Sequence, residues 1–316
     1  MSPSESRRAS QAPRPTIAGV TVPTPHADAL ARIPVRDASV DVLGSTTRYW
    51  EYGPSDAAHT VVITHGYRGD HHGLEPVIAL LPEVRFIGPD LPGFGESTPM
   101  TEAPHSIEGY SRWLGGFLDA LGLRGEAVLL GHSFGSMITT YAIAAGLQTP
   151  ALILINPIST DPHQGGGRVM NALTRAYYNT ARRLPERVGR GLLGNWLVVQ
   201  IMSATLAKTR DPQLRRWIHE EHHRYFNGFS DPQTVAEAFD ASLSTDVTRY
   251  SSALTMPVLV IAGADDEIAP APGQHTFADQ LPNAELVMLD HVGHLIHYEQ
   301  PVRAADALRR FLGTLA

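Results

Sequence analysis

Six short runs of apolar residues punctuate the chain, at 60–64, 84–88, 127–130, 152–155, 258–261 and 285–289. Runs this brief and this continuous suit parallel strands covered on both faces. Between them, apolar positions recur at the helical period over 107–121, 137–145, 272–280 and 301–315. Strands alternating with helices predict an α/β fold: a mostly parallel central sheet flanked by helices. Two earlier segments, 38–43 and 46–52, read as a strand pair turning at Gly44-Ser45.

The alternation stops after Ile155. Residues 157–250 hold Gly165-Gly166-Gly167 and then several helical patterns, with no convincing strand. The expected organisation is a core of 26–156 and 251–316, with 157–250 inserted as a helical cap over the carboxyl ends of the strands. Residues 1–25, rich in Ser, Pro and Arg, are expected to be a flexible tail. The segment 192–206 is apolar on most sides, through Trp196, Leu197, Val199 and Met202. Such a helix suits both the interior of the cap and the roof of an apolar pocket, with Trp196 a candidate to touch substrate.

Composition narrows the classes. The chain has 316 residues, 43% hydrophobic and 18% charged, enough for one large domain or a domain with an insertion. Its formal charge of -7 gives no electrostatic reason to expect a nucleic-acid partner or a polybasic membrane patch. With no cysteine there is no disulfide, thiol nucleophile or Cys-bound zinc. No apolar stretch follows Arg7-Arg8, so no secretory signal is expected. No run approaches the ~18 apolar residues of a membrane span. A cytoplasmic location is the default expectation.

Ligands of open α/β sheets sit beyond the carboxyl ends of the strands, so what each strand delivers there matters most. The third run ends in Gly131-His132-Ser133-Phe134-Gly135, a G-x-S-x-G turn into a helix. The strained turn exposes the serine oxygen, and the glycines admit close backbone approach. A serine hydroxyl needs a base. Of His291, His294 and His297, His294 follows a glycine on the loop before the last helix and is the candidate. The base needs an acid to hold its tautomer. The fifth run delivers Asp265-Asp266, of which Asp266 lies further out, with Asp265 its rival. Ser133, Asp266 and His294 stand in the chain order expected of this fold. The first run supplies His65-Gly66-Tyr67-Arg68, so the amides of Tyr67 and Phe134 are candidates for an oxyanion hole, each donor worth about 3 to 4 kcal/mol in the transition state.

With these pieces in view, the chain resembles the α/β-hydrolase superfamily, in particular its capped serine carboxylesterase-like members. The matching pieces are His65-Gly66, the loop from Asp90 to Ser97 (DLPGFGES), Gly131 to Gly135, Gly263-Ala264-Asp265-Asp266 with Pro270, and Gly293-His294 with Glu299 and Pro301. In order, they cover most of residues 35–316. In members with a Gly-x-x-Asp-x-x-x-Pro stretch the acid is that aspartate, here Asp266. The resemblance implies a cofactor-free hydrolase of carboxylic esters acting on a small to medium, largely apolar molecule. Similar epoxide hydrolases and dehalogenases use an aspartate where this chain has Ser133. Tyr67-Arg68 departs from the proline often found near the oxyanion loop of cofactor-free haloperoxidases.

Carbon–carbon bond hydrolases and lactonases share the cap and triad and stay open, as does a non-catalytic ligand-binding protein of the same fold. His219-Glu220-Glu221-His222-His223 formally matches the zinc motif H-E-x-x-H, but its charged neighbours favour a solvated helix face, and no metal is expected. Asp70-His71-His72 likewise reads as a polar loop. Arg68 has two readings, a clamp on a substrate carboxylate or a surface arginine paired with Asp70. His132, inside the elbow, is a further candidate to touch substrate.

Overall fold

The computed structural model describes residues 24–162 and 167–315. The expected N-terminal tail falls almost wholly outside the described residues, as do Gly165 and Gly166. Among the described residues eight strands form one sheet: β1 (Val35–Val42), β2 (Ser45–Tyr52), β3 (Thr60–Thr64), β4 (Arg85–Pro89), β5 (Val128–His132), β6 (Leu152–Ile155), β7 (Val258–Gly263) and β8 (Ala284–Leu289). Their order is β1-β2-β4-β3-β5-β6-β7-β8. The pairings β1–β2 and β2–β4 are antiparallel, and those from β4 to β8 are parallel.

The helices are α1 (Ala27–Leu30), α2 (Glu75–Ile78), α3 (Ile107–Ala120), α4 (Phe134–Ala144), α5 (Gly167–Arg183), α6 (Glu186–Leu193), α7 (Trp196–Leu206), α8 (Pro212–Tyr225), α9 (Pro232–Ser242), α10 (Ala271–Asp279), α11 (Ile296–Glu299) and α12 (Pro301–Leu312).

The five inner apolar runs form strands because both faces of the sheet are covered there, whereas the sixth, at the edge in β8, is only partly buried. Val62, Leu129, Leu154 and Val260 pack on one side with Trp113 and Phe117 of α3 and Met137 and Ile138 of α4. Their neighbours Val61, Ile63, Leu130, Ile153 and Ile261 pack on the other, with Ile78 of α2 and Leu308 and Phe311 of α12. Burial of each such side chain contributes about 1.5–3 kcal/mol, so a register slip would cost every strand its fit.

The first hairpin turns at Leu43-Gly44, with φ of 50° and 75°, and not at Gly44-Ser45. Positive φ at both positions is the type I′ turn, whose twist matches that of the strands, and glycine takes such a φ freely. Ser45 instead pairs with Val42 and sends its buried hydroxyl to the Thr98 carbonyl at 2.6 Å. Helix α4 starts at Phe134, three residues before the predicted start, because the chain turns helical directly after Ser133; the Ser136 hydroxyl caps back onto the Ser133 carbonyl at 2.5 Å. Helix α12 ends at Leu312, earlier than the period suggested.

Helices α5 to α9 all lie between β6 and β7. They join the loop after β4 through backbone bonds. Gly95 N–H donates to the Gly228 carbonyl at 2.8 Å and Ser230 N–H to the Gly93 carbonyl at 2.9 Å, on either side of a Phe94–Phe229 bridge. Farther on, the Glu299 carboxylate of α11 accepts the N–H groups of Lys208 and Thr209 at 2.6 and 2.7 Å. No helix among the described residues is long and apolar enough to cross a membrane.

Candidate active site

β5 ends at His132, and the next residue turns the chain. Ser133 has φ 52° and ψ -115°, a conformation that costs an L-residue of order 1–3 kcal/mol and persists only under tight surroundings. The flanking glycines supply that tightness. A Cβ on Gly135 would lie 2.0 Å from the Thr64 carbonyl oxygen, and one on Gly131 would lie 2.7 Å from the Gly135 carbonyl oxygen. Strand, turn and helix therefore touch backbone to backbone, and no other residue fits.

β8 leads to His294, whose ring meets Ser133 and Asp266 at once. Nε2 lies 2.7 Å from Ser133 Oγ, and Nδ1 lies 2.7 Å from Asp266 Oδ2. A carboxylate only accepts, so Nδ1 carries the proton and Nε2 is left to accept from the serine hydroxyl. Asp266 is buried and fully bonded: Oδ1 also accepts the N–H groups of Ile268 and Ala269 at 2.8 and 3.0 Å. Burial works to raise this carboxyl, but the His294 ring and the two amides outweigh it and hold it below the ordinary carboxylate value. Its rival Asp265 is exposed, and so is His291.

Asn156 belongs to this group and went unnoticed in the sequence. It follows β6 with φ 46°, and its Nδ2 donates to Asp266 Oδ2 at 2.7 Å and to the Gly293 carbonyl at 2.9 Å. The signal was a polar residue at the carboxyl end of an apolar run, the same signal that picks out Ser133.

Gly66 brings the loop after β3 against Ser133; a Cβ there would lie 3.4 Å from Ser133 Cβ. The amides of Tyr67 and Phe134, flanking this approach, donate to no protein acceptor among the described residues. His65 pins the loop: Nδ1 lies 2.8 Å from the Gly66 carbonyl, and Nε2 accepts the Leu91 N–H at 2.8 Å. The Tyr67 ring packs edge-on against Phe94, Phe134 and Tyr178, and its hydroxyl donates to the Val235 carbonyl at 2.9 Å.

Arg68 is not a surface residue and does not pair with Asp70, whose carboxylate caps His72 N–H at 3.0 Å instead. With 1% of its surface exposed, it takes a left-handed φ of 57° and points into the helices between β6 and β7. Nη2 donates to the carbonyls of Leu193 and Phe226 at 3.1 and 2.8 Å, and Nε to Phe226 at 3.1 Å. Leu193 ends α6 and Phe226 caps α8. Each helix end carries about half a negative charge, so two of them neutralise one guanidinium without a carboxylate. The rings of Phe226 and Phe229 lie 5.2 and 5.4 Å from its Cζ. Nη1 is left without an acceptor among the described residues. Arg68→Met should therefore lower unfolding free energy by about 3–5 kcal/mol in denaturant titrations, since it orphans buried carbonyls. A loss under 1 kcal/mol would mean the contact is dispensable.

The other candidates sit elsewhere than expected. His132 is buried, its ring 5.6 Å from that of His294 and 4.5 Å from that of His297. Burial, with the neighbouring His294, pushes it down to about 3, so it stays neutral. Trp196 is 57% exposed and stacks on His223, ring centroids 5.2 Å apart, so it does not roof a buried pocket. In the H-E-x-x-H stretch, His219 Nδ1 lies 2.6 Å from Ser203 Oγ and His223 Nε2 lies 2.9 Å from Gln200 Oε1, so both rings serve the α7–α8 contact. His71 and His72 form a ring stack between Trp50 and Tyr225, with His71 Nδ1 2.8 Å from Asp90 Oδ1.

The chain is similar to known proteins along most of its length. The family model for the alpha/beta hydrolase fold matches residues 59–301. A pimeloyl-[acyl-carrier protein] methyl ester esterase of Xanthomonas campestris pv. campestris is 25% identical over 281 residues, covering 87% of this chain and 99% of that one. An uncharacterized hydrolase of Bacillus subtilis is 26% identical over 294 residues, covering 88% and 98%. A thermophilic esterase from Thermogutta terrifontis superposes with a TM-score of 0.70 at 25% identity, covering 88% of this chain and 97% of that one. The sheet, the serine turn and a family match over most of the chain lead to one conclusion: the protein belongs to the α/β-hydrolase fold family.

Proposed function

We propose that the protein hydrolyses a carboxylic ester of a small to medium, largely apolar molecule through a Ser133–His294–Asp266 triad. The observation that carries this reading is the unbroken line of 2.7 Å contacts from Ser133 Oγ through His294 to Asp266. Relatives named as esterases support the reaction class.

In this reading Ser133 Oγ attacks the carbonyl carbon while His294 Nε2 takes its proton. The carbonyl oxygen becomes an oxyanion and accepts from the Tyr67 and Phe134 amides. The carbonyl re-forms, the C–O bond to the alcohol breaks, and His294 protonates the departing oxygen. Water then enters, gives its proton to His294, and its hydroxide attacks the acyl-enzyme. Collapse releases the acid and returns the proton to Ser133. Asp266 holds the imidazole and stabilises its charged form, and Asn156 holds Asp266. Helices α5 to α9 act as a cap, within residues 157–250, over the carboxyl ends of the strands. Arg68 acts as the strap of that cap, not as a carboxylate clamp.

A fluorophosphonate probe followed by peptide mass spectrometry tests the nucleophile. Labelling confined to Ser133, and absent from Ser133→Ala, is the expected result. A panel of p-nitrophenyl esters, lactones and dienoate ketones then separates ester cleavage from its rivals. No labelling of folded protein would favour a ligand-binding role.

A further inference from the structure

The acidic total conceals a segregated charge. Residues 169–210 hold seven cations and one acid, Glu186, in a chain that is -7 overall. Three of the cations are neutralised, Arg175 by Asp240, Arg190 by Glu186 and Lys208 by Glu267. Arg183 and Arg187 are exposed and make no ion pair among the described residues.

The same stretch is apolar on its outside. Eight of the eleven large apolar side chains exposed among the described residues lie between 169 and 201. Along α5 the exposed stripe runs Val169, Leu173, Ala176, Thr180, Arg183, spaced so that they share one face, while Tyr178 and Ala181 face inward. On α7 the exposed positions Leu197, Ile201 and Ala204 again share a face, beside Trp196, and the helix carries no charge. Leu197 and Ile201 are each 58% exposed. An ordinary surface helix is polar on this side. Exposed apolar positions are interspersed along this stretch with arginines that make no ion pair among the described residues, and a tryptophan starts α7.

We infer that α5, α6 and α7 form a docking surface for an anionic lipid bilayer, the apolar side chains entering the headgroup boundary and Arg183 and Arg187 meeting lipid phosphates. A basic, tryptophan-bearing amphipathic surface suits that occupant on both counts. A second copy of the chain fits less well, because a two-fold contact through this face sets its arginines against themselves. Docked this way, the helices over the strand ends lie where apolar esters concentrate.

The test floats the full chain with vesicles of phosphatidylcholine alone and of phosphatidylcholine mixed with phosphatidylglycerol, at low and high salt. The expected result is flotation with the mixed vesicles only, weakened by salt. The pair Arg183→Glu/Arg187→Glu should bind about thirtyfold more weakly. The pair Leu197→Ser/Ile201→Ser should fail to float. Hydrolysis of a water-soluble ester should be unchanged in both pairs, which shows that they fold. Absence of flotation with the mixed vesicles, or equal flotation of the charge-reversed pair, overturns the proposal. So does a wild-type dimer in sedimentation that the Leu197/Ile201 pair dissolves, which would assign the face to a second copy. An acidic protein that competes for the surface while vesicles do not bind would do the same.

Discussion

Ser133→Ala should lower kcat for an ester substrate by about five to six orders of magnitude, with KM and the thermal midpoint nearly unchanged. The size follows from the geometry. In the proposed triad the serine oxygen is the nucleophile that His294 activates for acylation, since Nε2 is aimed at it and Nδ1 is committed to Asp266. If His294 and Asp266 are base and acid, loss of the oxygen leaves them with nothing to act on, so the three residues fail as a unit. On this proposal, what survives is binding and the two proposed oxyanion amides, worth a residual acceleration of about 10³–10⁴ over water. Steady-state kinetics with purified protein, checked by active-site titration, measure this. A loss below about a hundredfold would place the nucleophile elsewhere.

Asp266→Asn should cost about 10⁴ in kcat while preserving the fold. The carboxylate accepts on both oxygens: Oδ1 from two backbone amides, Oδ2 from His294 and Asn156. An amide has only one accepting side. With its oxygen toward Ile268 and Ala269, its NH₂ meets the N–H of His294 and the NH₂ of Asn156. The ring then escapes by moving its proton to Nε2, where it cannot take one from Ser133. Turned round, the NH₂ meets the two backbone amides instead. Acid stability should change too. The native carboxyl titrates below its ordinary value, so its contribution is present above the unfolded-state pKa and is lost as pH falls through the lowered folded value. The asparagine variant should lack that part of the acid limb in a pH series of denaturant melts. A variant with wild-type kcat would return the role to Asp265.

The sheet and the serine turn were legible because they rest on short-range rules. An apolar run buried on both faces has one reading, and a serine between glycines at its end has another. Ser133, His294 and Asp266 come together because β5, β7 and β8 are parallel strands whose carboxyl ends share one edge. That follows from topology, which the alternation of strands and helices already implied. Arg68 resisted prediction because its shortest bonds go to backbone carbonyls. A carbonyl has no residue type, so nothing in the letters at Leu193 or Phe226 marks them as ends of helices that converge on a cation. Asn156 was missed for a related reason: its importance lies in two acceptors 110 and 137 residues away. Trp196 misled because an apolar helix looks the same whether its outer face meets a pocket or solvent.

The seat of Arg68 sets a rule for anyone who would exchange the helices between β6 and β7 to change substrate. Tyr67, the neighbouring residue, carries one of the two amides assigned to the oxyanion. A graft that lacks two converging helix ends leaves a fixed cation stranded in a dry interface, and relief by backbone movement displaces that amide. Transplants should succeed in either of two designs: donors that bring the carbonyl pair with them, or recipients whose arginine has first been replaced by an apolar residue of similar length together with a graft that presents no bare carbonyls. Swaps chosen on pocket shape alone should give folded proteins with bound substrate and little turnover.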